Sequence, residues 1–392
     1  MSPTSRLAHI ALFLAPLLGI GAWSLRGLMD VSLPADASLL DGTLAKAVET
    51  HYEAKFPLKR PGTNLWAALD YSVFDEGRPG VMLGRHDWLF SDEEFKPVAH
   101  GMQHIEANLR LIRGVQQRLD EYGVKLLLAI VPAKARLYPE HLGEERPGRQ
   151  QRGLYRRLHD AAHCNGILAP DLLANLQQEK ARDALFLRTD THWTPHGAER
   201  VAQHLARAVQ RHAPLAGKRQ RFVTEQAAGK PYLGDLVRFL PLDPLFSGLL
   251  PPPDQLQPRR THSLASGPGD DATALFADIR FPVVLVGTSY SAAPDWNFLG
   301  ALRQALGSDI LNFAESGQGP LLPMLKYLQS DAFKDSPPQL LIWEFPERYL
   351  PMAPDLSQFD PTWIDQLEAD GAAGRRLATQ ADRFGPSRSN RP

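Results

Sequence analysis

Residues 188–195 (RTDTHWTP) contain the first side chains that could do chemistry. Thr194 is a typical N-cap and Pro195 a typical first helical residue, so Asp190 and His192 are expected in an extended link just before a helix. In an extended chain, residues i and i+2 point the same way. The Asp190 carboxylate could then fix the imidazole tautomer of His192 and leave the other ring nitrogen free as a base.

The same stretch admits two other interpretations. His192 and His196 are four residues apart and Asp190 is near, so a metal site must be considered. With a helix beginning at Pro195, however, the two histidines do not share a helical face, and no further ligand stands at a recognisable spacing. The other interpretation is structural, with a capping aspartate and a packed histidine. We expect neither a metal nor a cofactor.

A serine stands at the end of an apolar run in residues 281–291 (FPVVLVGTSYS). A strand that leads into Gly287 and Ser289, followed closely by a helical pattern, is the layout of a nucleophile turn with free backbone N–H groups. Ser291 occupies the place of the second glycine of a hydrolase elbow. A simple turn or a phosphate-binding loop is an alternative, although the latter lacks the Gly-Lys-Ser/Thr ending. Together the two stretches predict a Ser-His-Asp acyl-transfer site.

Elements with alternating patterns must position these residues. Short apolar runs predict strands at 124–131, 166–169, 184–187, 281–286, 309–314 and 339–345. Amphipathic stretches predict helices at 105–122, 171–180, 195–212, 295–306 and 320–329. This alternation predicts a three-layer α/β/α fold with a mostly parallel sheet, whose active residues lie at the carboxyl ends of strands.

The chain divides into four predicted parts. They are a signal anchor (1–30), a linker or N-terminal extension (31–80), one α/β domain (81–353) and a polar C-terminal tail (354–392). The domain carries a Pro- and Gly-rich insertion at about 215–278. The tail loses apolar periodicity, so we expect it to fray.

Residues 7–25 form an apolar segment between Arg6 and Arg26. At 1.5 Å per residue this length nearly crosses a bilayer core of about 30 Å, which favours an uncleaved signal anchor. The alternative is a signal peptide cleaved after Ala37, which follows small residues at a suitable spacing. Either interpretation exports the rest of the chain.

Charge and cysteine content exclude several classes of function. The 392 residues include 43 Lys+Arg against 44 Asp+Glu, so there is no basic excess to support nucleic-acid binding. The single cysteine, Cys164, cannot form an internal disulfide or a thiolate metal cluster. A nearly cysteine-free exported chain suits a bacterial periplasm.

Five segments carry a resemblance to a known family: residues 131–140 (VPAKARLYPE), 188–195, 287–291, 296–300 (WNFLG) and 341–349 (LIWEFPERY). They resemble the periplasmic alginate O-acetyltransferases, which have an SGNH-hydrolase-like domain. The resemblance implies that Asp190, His192 and Ser289 form the catalytic triad. SGNH esterases usually place the serine first, so this family looks circularly permuted relative to them.

The resemblance also implies a reaction and partners. Acetyl groups would pass through an acetyl-serine to hydroxyls of mannuronate residues in alginate during exopolysaccharide biosynthesis, on the periplasmic side of the inner membrane. The implied acetyl donor is the membrane-bound O-acyltransferase AlgI, with AlgF and AlgX as further partners.

Other residues near the predicted site are candidates for substrate contacts. Lys134 and Arg136, just beyond a strand end, could contact uronate carboxylates. Trp193 and Tyr290 could pack on sugar rings. The expected oxyanion donor is the backbone N–H of residue 289 or 290, and Asn312 is a weaker side-chain candidate.

Three other functions are compatible with the same residues. The first is a carbohydrate acetyl-esterase that uses the same triad. The second is a non-catalytic adaptor in an export complex, and the third is an acetyltransferase for another exopolysaccharide such as cellulose. The near-zero net charge means that an anionic polymer must be recognised by a few local cationic residues.

Overall fold

The protein is described by a computed structural model, which covers residues 3–28, 31, 37–264 and 280–383. The chain packs as two compact units. We call them the N-terminal unit, residues 1–78 and 238–250, and the main unit, residues 79–237 and 251–392. Both predicted chemical segments lie in the main unit.

Helices and strands alternate along the main unit. The helices of the described chain are α1 (Pro3–Leu25), α2 (Thr43–Lys55), α3 (Lys59–Val73), α4 (Gly101–Glu121), α5 (Lys134–Leu137), α6 (Arg149–Cys164), α7 (Leu172–Glu179), α8 (Pro195–His212), α9 (Ser289–Ala292), α10 (Phe298–Leu306), α11 (Leu321–Gln329), α12 (Asp331–Asp335) and α13 (Pro361–Arg383). The strands are β1 (Val81–Leu83), β2 (Leu89–Ser91), β3 (Lys125–Val131), β4 (Phe222–Gln226), β5 (Lys230–Tyr232), β6 (Asp254–Leu256), β7 (Arg259–Ser263), β8 (Val283–Val286), β9 (Ile310–Asn312) and β10 (Leu340–Pro346).

A four-stranded parallel sheet forms the centre of the main unit, in the order β3-β10-β8-β9. Trp343 of β10 pairs with Leu128 of β3 on one side and with Val286 of β8 on the other. Every residue of β8 and β10 is buried, which explains why both strands are apolar apart from Glu344. The carboxyl ends of β3, β8 and β10 therefore meet at one edge of the sheet.

Helices cover both faces of this sheet. Alternate residues of β3 point into two separate cores: Leu127 packs with residues of α8 and α10, and Leu128 packs with residues of α4, α6 and α11. The period of two along a strand sends neighbours to opposite faces. The predicted three-layer α/β/α fold with a parallel sheet is confirmed.

Two predicted strands are wrong. Residues 166–169 and 184–187 form no strand, and only isolated bridges join Leu168 to Leu127 and Phe186 to Trp193. In the second case the chain folds back on itself, since the amide of Leu187 donates to the carbonyl of His192. Local loop bonds therefore satisfy backbone groups that a sheet partner would otherwise take.

The predicted tail is also wrong for residues 361–383, which form α13 instead of fraying. Ile364 and Leu367 are buried. A Cβ added to Gly114 of α4 would lie 2.0 Å from the carbonyl oxygen of Leu367, so the two helix backbones are in close contact. Two buried apolar residues are too few to make a clear periodic pattern, and this is why the sequence did not reveal the helix. Residues 384–392 lie outside the described part of the chain.

The N-terminal unit contains more structure than the predicted linker. Residues 31–80 include α2 and α3, and the phenol of Tyr52 donates to Ser24 Oγ at 2.9 Å. Residues 5–25 of α1 form a helix long and apolar enough to cross a membrane, and almost all of it is exposed. This helix is compatible with the predicted signal anchor.

The predicted insertion contains short antiparallel strands. β4 pairs with β7, and β5 pairs with β6. Residues 265–279 of the predicted range lie outside the described chain. The β5–β6 pair brings the insertion next to residues 188–192, as described below.

Candidate active site

The structure brings Asp190, His192 and Ser289 together at the carboxyl edge of the sheet. His192 Nδ1 lies 2.6 Å from Asp190 Oδ1, and His192 Nε2 lies 2.7 Å from Ser289 Oγ. An ionised carboxylate only accepts hydrogen bonds, so the Nδ1 proton faces Asp190 and Nε2 is left to accept from the serine hydroxyl. This is the tautomer in which His192 can remove the proton of Ser289.

Local capping places both segments. Thr194 Oγ1 accepts a hydrogen bond from the amide of Gly197 at 2.9 Å and begins α8, with Pro195 at its first position. Thr288 Oγ1 accepts from the amide of Tyr290 at 3.4 Å and begins α9. Ser289 is therefore the first residue of α9, and Asp190 and His192 lie in the link just before α8.

The carboxylate of Asp190 is fully buried and has several donors. Besides the His192 ring, it accepts from the amides of His192 and Asp235 at 2.9 and 2.8 Å, and from the phenol of Tyr232 at 3.0 Å. Burial acts to raise the pKa of Asp190, but the hydrogen bonds and the charge of His192 outweigh it and hold that pKa well below its usual range. Asp190 is therefore ionised at neutral pH and can stabilise an imidazolium.

Two acids of the predicted insertion hold the chain around Asp190. Asp254 accepts from the amide and hydroxyl of Thr189 at 2.9 and 2.6 Å, and Asp235 accepts from the amide and hydroxyl of Thr191 at 2.9 and 2.7 Å. Sequence reasoning missed both residues. They stand in a Pro- and Gly-rich stretch at no motif spacing, and only folding brings them to residues 188–192.

Asp190, His192 and Asp235 also offer ligand atoms within 4.8 Å of one another, which is a geometry that could hold a metal ion. Those atoms already form the hydrogen bonds just described, and a metal at Nδ1 would displace the bond to Asp190. His196, the other histidine considered from the sequence, lies 3.7 Å from Asp183 instead. The arrangement therefore fits a proton-transfer network better than a metal site.

The predicted sugar contacts of Trp193 and Tyr290 are wrong, because both side chains are buried. Trp193 packs between Tyr290 and Phe298, with ring centroids 4.9 and 4.7 Å away. The Tyr290 phenol donates to the carbonyl of Thr191 at 2.5 Å, and burial raises its pKa. Trp296 belongs to the resembling segment 296–300 but was not predicted as a site residue, and its ring stacks on that of His192 with centroids 5.0 Å apart. These aromatic rings hold the histidine in place.

The predicted uronate contact of Lys134 is wrong as well. Its side chain is buried, and Nζ donates to the carbonyls of Leu89, Arg188 and Asp190 at 2.6, 2.8 and 2.8 Å. Burial lowers the pKa of Lys134 to about 8, although the neighbouring carboxylates of Glu94 and Asp190 act to raise it. A strand-end lysine can reach inward as easily as outward, and the sequence does not distinguish these directions.

Arg136 has a different position. It forms a two-bonded ion pair with the buried carboxylate of Glu347, at 2.7 and 2.8 Å, and its side chain is 22% exposed. It lines a cavity of about 250 Å³ together with Arg146 and Arg152. Asn312 is not positioned as an oxyanion donor, because its amide nitrogen donates to the carbonyl of Ser291 at 3.2 Å.

Comparisons with known proteins agree with this fold. Residues 81–347 match the family model described as ALGX, SGNH hydrolase-like domain, acetyltransferase AlgX. A probable alginate O-acetylase AlgJ of Pseudomonas putida is 58% identical over 383 residues, covering 98% of this chain and 99% of the relative. A probable alginate O-acetylase AlgJ of Pseudomonas aeruginosa is 54% identical over 379 residues, covering 95% and 96%.

Solved structures are similar too. The O-acetyltransferase domain of Pseudomonas putida AlgJ superposes with a TM-score of 0.69 at 58% identity, and the match covers 74% of this chain and 99% of that domain. Pseudomonas aeruginosa AlgX superposes with a TM-score of 0.52 at 25% identity, covering 69% and 66%. The family match includes all three residues of the Asp190–His192–Ser289 cluster.

Proposed function

This chain belongs to the AlgJ family of alginate O-acetylases with an SGNH hydrolase-like domain, and we propose that it transfers acetyl groups to mannuronate hydroxyls of alginate through an acetyl-serine at Ser289. The observation that carries this proposal is the continuous hydrogen-bonded line from Asp190 through His192 to Ser289 Oγ. The same line runs through the catalytic triads of known acyl-transfer enzymes.

The first half-reaction forms the acetyl-enzyme. Ser289 Oγ attacks the carbonyl carbon of the acetyl donor while His192 Nε2 takes the hydroxyl proton. The tetrahedral intermediate collapses, the bond to the donor oxygen breaks, and His192 gives its proton to that leaving oxygen. Asp190 stays ionised throughout and stabilises the imidazolium.

The second half-reaction transfers the acetyl group to the sugar. A mannuronate hydroxyl gives its proton to His192 Nε2 and attacks the acetyl-serine carbonyl. Ser289 Oγ then leaves and regains the proton from His192, so the enzyme returns to its starting state. Transfer requires the sugar to outcompete water at the acetyl-serine.

Backbone amides at the start of α9 suit the oxyanion. Within the described residues, the Ser289 amide is not used by the hydrogen bonds around the turn, since the Thr288 hydroxyl accepts from Tyr290. An N–H at this position can donate to the negative oxygen of the tetrahedral intermediate.

The acceptor can be recognised near the same edge of the sheet. Arg136 remains a proposed contact for a uronate carboxylate, although its guanidinium already donates to Glu347 and to the carbonyls of Gln151 and Arg152, because its side chain is partly exposed and lines a cavity that also carries Arg146 and Arg152. These local cations compensate for a chain whose net charge is only -1.

Mass spectrometry of mannuronate oligomers tests the reaction. We expect the purified full chain, given a chromogenic acetyl ester as donor, to add acetyl groups to the oligomers, and the Ser289→Ala variant to add none. Release of acetate without any mass gain on the oligomers would instead indicate an esterase. Equal acetylation by Ser289→Ala would contradict the proposed nucleophile.

We further propose that α1 anchors the chain in the inner membrane with the main unit in the periplasm, where AlgI supplies the acetyl group and AlgF and AlgX act alongside. The single cysteine gives a direct test, because Cys164 is exposed in the main unit. A membrane-impermeant maleimide should label Cys164 once the outer membrane is opened, with Cys164→Ser as the control. Labelling only after lysis of the inner membrane would contradict this topology.

A further inference from the structure

A buried carboxyl lies next to the turn that presents Ser289. Glu344 on β10 is fully buried, and its strand neighbour Trp343 pairs with Val286 at the end of β8. The Glu344 carboxylate accepts from the amide of Thr288 at 2.7 Å, from the Thr288 hydroxyl at 3.0 Å and from the Ser291 hydroxyl at 3.0 Å. Its partners therefore stand on both sides of Ser289.

The turn is fitted to this carboxyl. A Cβ at Gly287 would lie 2.5 Å from Glu344 Oε2, so a side chain at this position would displace the Glu344 carboxyl. Ser291, which stands where hydrolase elbows have a second glycine, uses its hydroxyl to bind Glu344. The departure from the elbow pattern thus has a physical reason, since a serine here adds a donor for a buried acid that needs donors.

The three bonds constrain the atoms that matter for attack. The Thr288 amide and hydroxyl and the Ser291 hydroxyl fix the backbone before and after Ser289, and this backbone directs Ser289 Oγ at His192 Nε2, 2.7 Å away. We infer that Glu344 is a positioning residue that holds the Ser289 turn in its reactive geometry. The inference rests on the proposed function, because it assumes that Ser289 is the nucleophile.

The Glu344→Gln variant of the full chain tests this inference. At about pH 8 the wild-type carboxyl is ionised and accepts through both oxygens, whereas the amide nitrogen of the variant can only donate, so the variant loses an acceptor facing Thr288 and the turn should shift. A displacement of about 1 Å costs on the order of 100-fold in rate. With a chromogenic acetyl ester we expect kcat to fall by roughly 10- to 100-fold with KM changed less than about 2-fold, and the rate of Ser289 labelling by a sulfonyl fluoride to fall in parallel.

Variants of Thr288, which donates to Glu344, provide a second test if Glu344→Gln folds poorly. Thr288→Val removes the hydroxyl and should lower kcat, whereas Thr288→Ser keeps the hydroxyl and should remain near the wild-type rate. Because both groups act through one set of bonds, the Glu344→Gln/Thr288→Val double variant should lose less activity than the product of the single losses.

Asn108→Leu provides a matched control for buried polar groups. Asn108 is buried in α4 and donates to the carbonyls of Leu350 and Met352, neither of which bonds the Ser289 turn, so its loss should lower stability without changing kcat. The inference is overturned if Glu344→Gln and Thr288→Val keep kcat and the labelling rate while Ser289→Ala is inactive. Full activity of Ser289→Ala would overturn the proposed function and this inference with it.

Discussion

The segment with Asp190 and His192 is held by charged groups from several parts of the chain, whereas the turn with Ser289 takes its charged partner from the adjacent strand. Lys134, Asp235 and Asp254 bind the backbone and hydroxyl groups of residues 188–191. Glu344 binds Thr288 and Ser291, and the side-chain amide of Asn312 adds a bond to the Ser291 carbonyl. The first segment lies outside the sheet and takes charged partners from several elements, while the second continues a strand and takes its charged partner from the neighbouring strand. Variants on the two sides of the proposed triad should therefore have different effects.

The largest expected effect is that of Asp190→Asn on turnover. An amide cannot stabilise the imidazolium, and its NH2 group would favour the wrong tautomer of His192, so kcat should fall by about 10⁴-fold. The assay is turnover of the chromogenic acetyl ester by the full chain. Asp183→Asn is the control, because Asp183 lies beside His196 on the surface. A loss of less than 10-fold in Asp190→Asn would show that the carboxylate is not needed.

The next effect concerns the buried ammonium that supports the same segment. Lys134→Met leaves the carbonyls of Leu89, Arg188 and Asp190 without their donor and leaves Arg348 to compensate the charge of the buried Glu94. The free energy of unfolding should fall by about 4 kcal/mol, because a buried polar group left without its partner costs roughly 1–3 kcal/mol. Chemical denaturation of the full chain in detergent measures this.

Lys180→Met is the matched control for Lys134→Met. Lys180 forms a partly exposed ion pair with Glu140 at 2.8 Å, so its loss should cost less than about 1 kcal/mol. Equal losses in the two variants would contradict a special role for Lys134.

Glu344 should give the serine side its own pH dependence. Burial raises the pKa of Glu344 to about 7 from its ordinary 4.5, against the hydrogen bonds from Thr288 and Ser291 and the charge of Arg348, which lower it. The native state therefore keeps a proton that the unfolded chain releases above about pH 4.5, and stability decreases as the pH rises towards 7, by roughly 3 kcal/mol in total. Tyr290 on α9 also interacts with Glu344.

Unfolding free energies measured from pH 5 to 8 test whether stability decreases as the pH rises. The wild type should lose stability across that range, and Glu344→Gln should lack this decline. Asp190 has the opposite sign, because its lowered pKa makes its contribution disappear only as the pH falls through the acid range. A decline that persists unchanged in Glu344→Gln would assign it to another group.

The smallest expected effect is a loss of stability that leaves turnover unchanged. Gly114→Ala places a Cβ against the carbonyl of Leu367, so α4 and α13 must separate, at a cost of about 2 kcal/mol. Melting temperature should fall while kcat stays unchanged. Gly153→Ala on α6 is the control. Its new Cβ has nothing within 4 Å, so it should lower neither the melting temperature nor kcat. Loss of turnover in Gly114→Ala would show that α13 influences the site.

Most of the fold could be predicted because its signals are local. The apolar run of β3 and the capped start of α8 at Pro195 depend on neighbouring residues, and both are where the pattern indicated. The strand expected at 184–187 and the tail expected after 354 failed for the opposite reason. Their conformation is decided by contacts with residues that are distant along the chain, such as the packing of Leu367 against Gly114.

The sequence by itself determined the three-layer fold and the candidate residues Asp190, His192 and Ser289, because strand ends, caps and the i, i+2 relation are properties of short stretches. Only the tertiary structure decided which way long side chains point. Lys134, Trp193 and Tyr290 turned inward, and Arg136 bound Glu347. It also decided that Asp235, Asp254 and Glu344 serve the site. Burial and hydrogen bonding depend on what folding brings within about 3 Å, and no spacing along the chain encodes that distance.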